Sequence, residues 1–146
     1  MKEFIPIDYY RAIVGRENQH YYLAKFARYE GEGRIRPSWN WPACLWTFIW
    51  LLYRKMWLVV ILWSMWVIFI VLGIPLLASK APNPSDAMAI AWFLLVFLGV
   101  NILPGIYANA IYYKHCRRKI AIVRTRWQDK DRQLKELSRI GGSLSD

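Results

Sequence analysis

The chain has 146 residues, 56% of them apolar and 16% aromatic, and carries 20 Lys and Arg against 10 Asp and Glu for a net charge of +10. That length provides for one domain, and a domain of this size cannot bury two long uncharged helices on every face, which excludes an ordinary water-soluble fold for the runs described below. The two cysteines, Cys44 and Cys116, show no CxxC or His/Cys spacing, so neither a disulfide framework nor a metal is expected.

Residues 1–38 are polar and mixed in charge, with seven Lys/Arg against five Asp/Glu. The opening "MKEFIPIDYYRAIVGRENQ" has scattered charges and no apolar core stretch, so no secretory signal is expected. Residues 8–30, "DYYRAIVGRENQHYYLAKFARYE", read as a helix with Tyr22, Phe26 and Tyr29 on one stripe. "EGEGRIRPS" ends it, Gly31 and Gly33 being turn formers.

From Trp39 the chain turns apolar. Residues 41–53 carry no charge, but as a helix they span only about 20 Å, too short for a hydrocarbon core of about 30 Å. Arg54 and Lys55 follow, side by side. At the bilayer centre each would cost about 2.5–3.5 kcal/mol. At an anionic surface each instead gains about 1 kcal/mol. The sign predicts residues 39–55 as an interfacial helix. Arg54 and Lys55 then sit at the membrane surface, with Trp50, Tyr53 and Trp57 beside them in the headgroup zone. Pro42 suits the first turn of this helix and Asn40 its cap. A re-entrant half-helix is the alternative for the same run.

Residues 56–78 are uncharged and long enough, at about 35 Å, for a first transmembrane helix. "SKAPNPSD", residues 79–86, is a short turn, and residues 87–113 form a second uncharged span. Asn101, Gly105 and Asn109 recur along it at steps of four, with Pro104 beside Gly105. A helix packed on the first span would show this pattern, small residues permitting close approach and amides bonding across. A broken helix lining a substrate path would show it too.

Residues 114–146 hold ten Lys/Arg against four acids. Lys114, Arg117 and Arg118 lie in "YYKHCRRK", beside the end of the second span, and are predicted as further membrane-surface anchors. One side of the spans holds these together with Arg34, Arg36, Arg54, Lys55 and Lys119. The other holds Lys80, offset by Asp86. The asymmetry predicts two crossings with both termini cytoplasmic. Ile120, Val123, Trp127, Leu134 and Leu137 then recur at a three-four spacing, Lys130 occupying the missing step, which predicts one helix with an apolar seam. Val123, Trp127, Leu134 and Leu137 are the expected protein contact, docked on the Tyr22–Phe26–Tyr29 stripe or, second, on another copy. The remaining tail alternates in sign, as in "DKDRQLKELSR", and nucleic acid is not an expected partner.

Four stretches, "IVGRENQHYYLAKF", "WNWPACLWTFIWLLYRKMW", "GIYANAIYYKHCRRKI" and "LSRIGG", resemble in that order the YigF-like small bacterial inner-membrane proteins, a domain of unknown function. The resemblance runs from about Val14 to Gly142. It is most specific at Asn40, Trp41, Ala43, residues 53–56 and Gly141–Gly142, and departs at Trp46–Thr47, where the family has Phe and Gly. It implies a bacterial inner-membrane location and no particular activity.

Catalytic patterns are thin. His20 and His115 are lone imidazoles, and no phosphate loop, carboxylate pair or Ser/His/Asp set is present. Cys116 beside Arg117 and Arg118 could carry a lowered pKa, but reads better as an ordinary juxtamembrane residue. No enzyme and no cofactor is expected. The reading is an all-α membrane protein with two transmembrane helices, one interfacial or re-entrant helix, and cytoplasmic N- and C-terminal helices. Its expected role is a membrane-anchored interaction subunit or adaptor. The partners are a bilayer with anionic headgroups and a second protein or a second copy; the alternative is an oligomeric permeation or transport component.

Overall fold

A computed structural model describes residues 4–73, 75–76 and 86–141. Among these residues every regular element is helical: α1 (Ile7–Val14), α2 (Gln19–Glu32), α3 (Trp41–Leu45), α4 (Thr47–Tyr53), α5 (Trp57–Ile68), α6 (Asp86–Phe97), α7 (Leu103–Arg126) and α8 (Lys130–Ile140). A π turn, Phe69–Gly73, extends α5, and another, Leu98–Ile102, joins α6 to α7. Most of the turn predicted at residues 79–86, with Lys80, and the tail beyond Gly141 lie outside the described residues.

The single helix predicted over residues 8–30 is two. Gly15, at φ 76°, ends α1, and Asn18, at φ 55°, leads into α2. Both are residue types that tolerate positive φ. Gln19 ties the corner by donating from Nε2 to the carbonyls of Gly15 (2.8 Å) and Arg11 (3.2 Å). Gly33, at φ 61°, stops α2, whereas Gly31, also predicted as a turn former, lies inside the helix.

The interfacial helix predicted over residues 39–55 is also two pieces, broken at Trp46. Asn40 does cap α3, its side chain accepting from Ala43 N at 3.2 Å, with Pro42 in the first turn. Thr47 Oγ1 donates back to Ala43 O at 2.6 Å across the break. At the end of α4, Lys55 N bonds Leu52 O and Met56 N bonds Leu51 O, while Lys55 itself is left-handed at φ 53°. That pair of bonds is a Schellman stop. Arg54 and Lys55 therefore occupy the turn that sends the chain from α4 into α5.

The largest fully buried side chains include Tyr10 and Val14 of α1, Phe26 of α2, Met56, Tyr113, Cys116 and Ile120 around α7, and Leu137 of α8. They define a head in which α1 packs on α2, α7 and α8. Outside it, α5 and α6 carry large apolar side chains exposed to surroundings, among them Trp57, Leu62, Met65, Phe69, Ile90 and Phe93. One helix among the described residues, Met88–Arg126, is long and apolar enough to cross a membrane, and only 11% of its most apolar window is buried. Trp57–Gly73 is a shorter apolar helix.

The C-terminal seam differs from expectation. The helix that begins in the apolar run continues to Arg126, stops at Trp127, and α8 restarts with Asp129 as its cap, its Oδ2 accepting from Arg132 N at 3.0 Å. The break lets α8 fold back onto α1 rather than onto Tyr22, Phe26 and Tyr29. That stripe is already covered by α7: Tyr112 and Tyr113 both lie against Phe26, at 5.7 and 5.3 Å between ring centroids.

Candidate functional site

The junction where the apolar helices enter the head concentrates the buried polar groups. Three nodes stand there. The first is Asn109, fully buried on α7. Its Oδ1 accepts from Asn40 Nδ2 at 2.9 Å, and its Nδ2 faces Ser38 Oγ at 2.9 Å and Tyr21 Oη at 3.1 Å. The extended chain before α3 is clipped to the same helix by its backbone, Ser38 N to Ile106 O and Asn40 N to Gly105 O. Close approach is possible because Gly105 has no side chain: a Cβ there would stand 2.9 Å from Cys44 Cβ. Pro104 has no N–H to give to the carbonyl four residues back, Val100 O, and Thr47 Oγ1 reaches that oxygen at 3.3 Å.

Arg54 forms the second node. It is 3% exposed, and its guanidinium lies over the rings of Tyr22 (4.6 Å), Tyr112 (5.2 Å) and Tyr53 (5.5 Å). Nη1 and Nη2 donate to Val14 O and Glu17 O at 3.4 and 3.3 Å, both long, and Nε has no partner.

The third node is Glu30. Its Oε1 accepts from Tyr10 Oη (2.5 Å), Tyr113 Oη (2.7 Å) and Arg117 Nη1, uniting α1, α2 and α7 at one oxygen. Burial pulls this carboxyl up, but the three donors outweigh it and hold it below its ordinary value.

These contacts revise several expectations. Arg54, predicted as a lipid-surface anchor, is 3% exposed, and the faces of Tyr22 and Tyr112 supply cation–π attraction to its guanidinium. Trp50 is likewise buried, edge-on to Tyr112 at 6.0 Å, because α4 packs inward. Tyr53 is half-buried beneath Arg54. Lys55 is half-buried, its Nζ donating to Gly141 O at 3.0 Å. Arg117 points at Glu30 instead of outward. Trp57, Lys114 and Arg118 are exposed.

Within the Asn101–Gly105–Asn109 stripe, Asn101 bonds Phe97 O of its own helix at 3.3 Å, and the other two pack on residues 38–44 rather than on α5. The residue that meets α5 is Gly99, where a Cβ would stand 2.4 Å from the Trp66 ring. In the seam, Val123 and Leu137 are buried, while Trp127 and Leu134 are half-buried.

Residues the sequence did not single out include Tyr10 and Glu30, and Gln133, which accepts from Tyr9 Oη at 2.7 Å and donates to Trp127 O at 2.5 Å. Gly15 and Asp129 were the readable signals, a helix stop and a helix cap, that would have placed α1 and α8 correctly.

Burial shifts two titratable side chains of this region. Burial pushes the Cys116 thiol up to about 12 despite its cationic neighbours. Burial, then Lys119 and Arg118, push the His115 imidazole down to about 4. Among the described residues no three His, Cys, Asp or Glu converge as metal ligands.

Residues 13–118 match the family described as protein of unknown function DUF2628. The chain belongs to that family. The matched span holds Glu30, Asn40, Arg54, Asn109 and Tyr113, the central residues of the three nodes, but leaves out Tyr10, and it ends before α8. No curated protein and no solved structure matches the chain.

Proposed function

We propose that the chain is a two-span protein of the bacterial inner membrane, YigF-like, with both termini cytoplasmic and its head acting as a non-catalytic interaction subunit. The observation that carries this reading is the apolar belt on α5 and α6. Each exposed Leu, Ile or Phe there would gain about 1.5–3 kcal/mol on leaving water. A handful of them outweighs the roughly 5–15 kcal/mol that holds a typical domain folded. A bilayer supplies that transfer for every face of both helices at once. Lys114, Arg118, Arg124 and Arg126 follow the belt on the head side, which favours a cytoplasmic head.

A catalytic role has little support, since Cys116 is fully buried and its thiol is pushed up to about 12. Transport has less as well: the cleft of about 290 Å³ between α4, α5 and α7 is walled by Trp50, Trp63, Trp66, Leu103 and Ile111, and Asn101 is satisfied by its own helix. The apolar seam is spent largely on α1, so a partner would meet the charged outer face of the head.

Topology is tested with single cysteines at Asn83 and Ser143 in a background lacking Cys44 and Cys116, using an impermeant thiol reagent on intact cells. Labelling at Asn83 alone is expected. Labelling at Ser143 but not at Asn83 would overturn the orientation, and equal labelling at both would overturn the double crossing.

A further inference from the structure

Arg54 has no acid. Among the described residues no carboxylate lies within ion-pair distance of it, and its two bonds to neutral carbonyls are the long ones to Val14 and Glu17. Every other guanidinium enclosed as deeply in a protein finds a counter-charge as a rule, because an uncompensated buried ion is costly. Glu30, the buried acid of the head, is occupied by Arg117 and two tyrosines.

Arg54 nonetheless borders open space, although only 3% of it is exposed. It lines a groove of about 450 Å³ together with Asn18 and Tyr22 from the start of α2 and Trp46, Ile49 and Tyr53 from α3–α4. The groove's lining is mixed. Asn18 and Arg54 are its polar side chains, whereas Trp46 and Ile49 are exposed apolar ones, 64% and 58% accessible. A ligand that fits must bring an anion for Arg54 and a hydrocarbon for Trp46 and Ile49.

We infer that this groove is a binding site for one anionic phospholipid, its phosphate at Arg54 and an acyl chain along Trp46 and Ile49. Arginine is suited to the phosphate end, since its planar donors remain charged at any working pH and match phosphate oxygens in pairs. Tyr22 and Tyr53 add hydroxyl-bearing rings at the same end, and the exposed Asn18 offers an amide at the mouth. The inference rests on the two-span reading, which places α3–α4 at the level of the headgroups.

The test uses the full-length protein in a neutral detergent, so that binding is read whether or not the topology is correct. Short-chain phosphatidylglycerol, short-chain phosphatidylcholine and inorganic phosphate are titrated separately, with tryptophan emission and retained lipid by native mass spectrometry as readouts. Saturable binding of phosphatidylglycerol, at least tenfold tighter than either of the others, is expected. Asn18→Asp is the cleaner variant, because Asp tolerates the left-handed backbone at that position and sets a negative charge in the groove without removing Arg54. It should weaken phosphatidylglycerol at least tenfold without lowering the thermal midpoint, since an acid near Arg54 and at the start of α2 adds stability if anything. Arg54→Lys should weaken it as well, keeping the charge but losing the paired donors. Equal affinity for inorganic phosphate would overturn the lipid assignment. Equal affinity for the two lipids, or unchanged phosphatidylglycerol binding by a folded Asn18→Asp protein, would overturn the site. A failed topology experiment with intact detergent binding would instead count against the two-span reading.

Discussion

Asn40 Nδ2 donates to Asn109 Oδ1 at 2.9 Å, and the two asparagines, 69 residues apart in sequence, are both buried. Asn40 is at once the cap of α3 and the far end of a clip that fastens the extended chain to α7. Asn109→Ala strands Asn40 Nδ2, while Ser38 Oγ keeps Tyr29 Oη, and should cost about 1–3 kcal/mol. Asn40→Ala loses the cap as well. The double variant should cost clearly less than the sum of the singles, a coupling that denaturant titration in micelles measures directly. Strict additivity would show that the two amides do not support each other.

Stability should respond to pH in two separate windows. His115 is pushed from 6.5 down to about 4 by burial and its cationic neighbours. Between those values the unfolded chain binds a proton that the folded chain refuses, so stability falls as pH drops through the window and levels off below it. His115→Gln should flatten that slope. Glu30 acts lower: its contribution is complete above its ordinary 4.5 and fades as pH falls through its depressed folded value. Glu30→Gln should remove this second decline and lower stability near neutral pH. Unfolding midpoints across pH 3–8 for the three proteins separate the windows.

The glycines should rank by what an added methyl meets. At Gly141 a Cβ would stand 2.2 Å from Ile13 O, a backbone atom that cannot turn aside, so Gly141→Ala should be the most damaging and should detach α8 from α1. Gly105→Ala meets Cys44 Cβ at 2.9 Å and should cost about 1–3 kcal/mol by forcing α3 from α7. Gly31, inside α2 with nothing within 4 Å, should behave oppositely: Gly31→Ala should stabilise by about 0.5–1 kcal/mol. Thermal midpoints in one detergent give the order, and a destabilised Gly31→Ala protein would contradict it.

Lys55 combines a left-handed backbone with a bond from Nζ to Gly141 O. Lys55→Ala and Lys55→Gly both lose the ammonium, so their difference isolates the backbone. Gly should be the more stable by about 1–2 kcal/mol. Equal stability would indicate that the turn after α4 relaxes when the lysine is removed.

Much of the architecture was legible because it rests on local chemistry. Apolar runs marked α5 and α6, Asn40 and Pro42 marked the start of α3, and four-residue spacing found Gly105 and Asn109. What escaped was the identity of their partners. Arg54 reads as a surface cation because the tyrosines that enclose it stand 32 residues before and 58 after it, at Tyr22 and Tyr112, and no periodicity links them. The seam misled for a related reason. Its three-four spacing runs unbroken through Trp127, and the spacing of apolar residues alone does not register a cap at Asp129 that ends one helix and begins another.

The contacts of α1 also set an order of assembly. Ile13 meets Gly141, Tyr9 meets Gln133, and Tyr10 meets Tyr113, so α1 is completed by α7 and α8, which are made much later. Until α7 and α8 have been made, Tyr10 and Phe26 have each other but lack Tyr113, which completes their cover. In that interval α1 and α2 form a half-built surface awaiting its other half. The head can therefore close only after both apolar helices have emerged, and a chain cut short before α8 should be recognised and removed as incomplete, however well its apolar helices are placed.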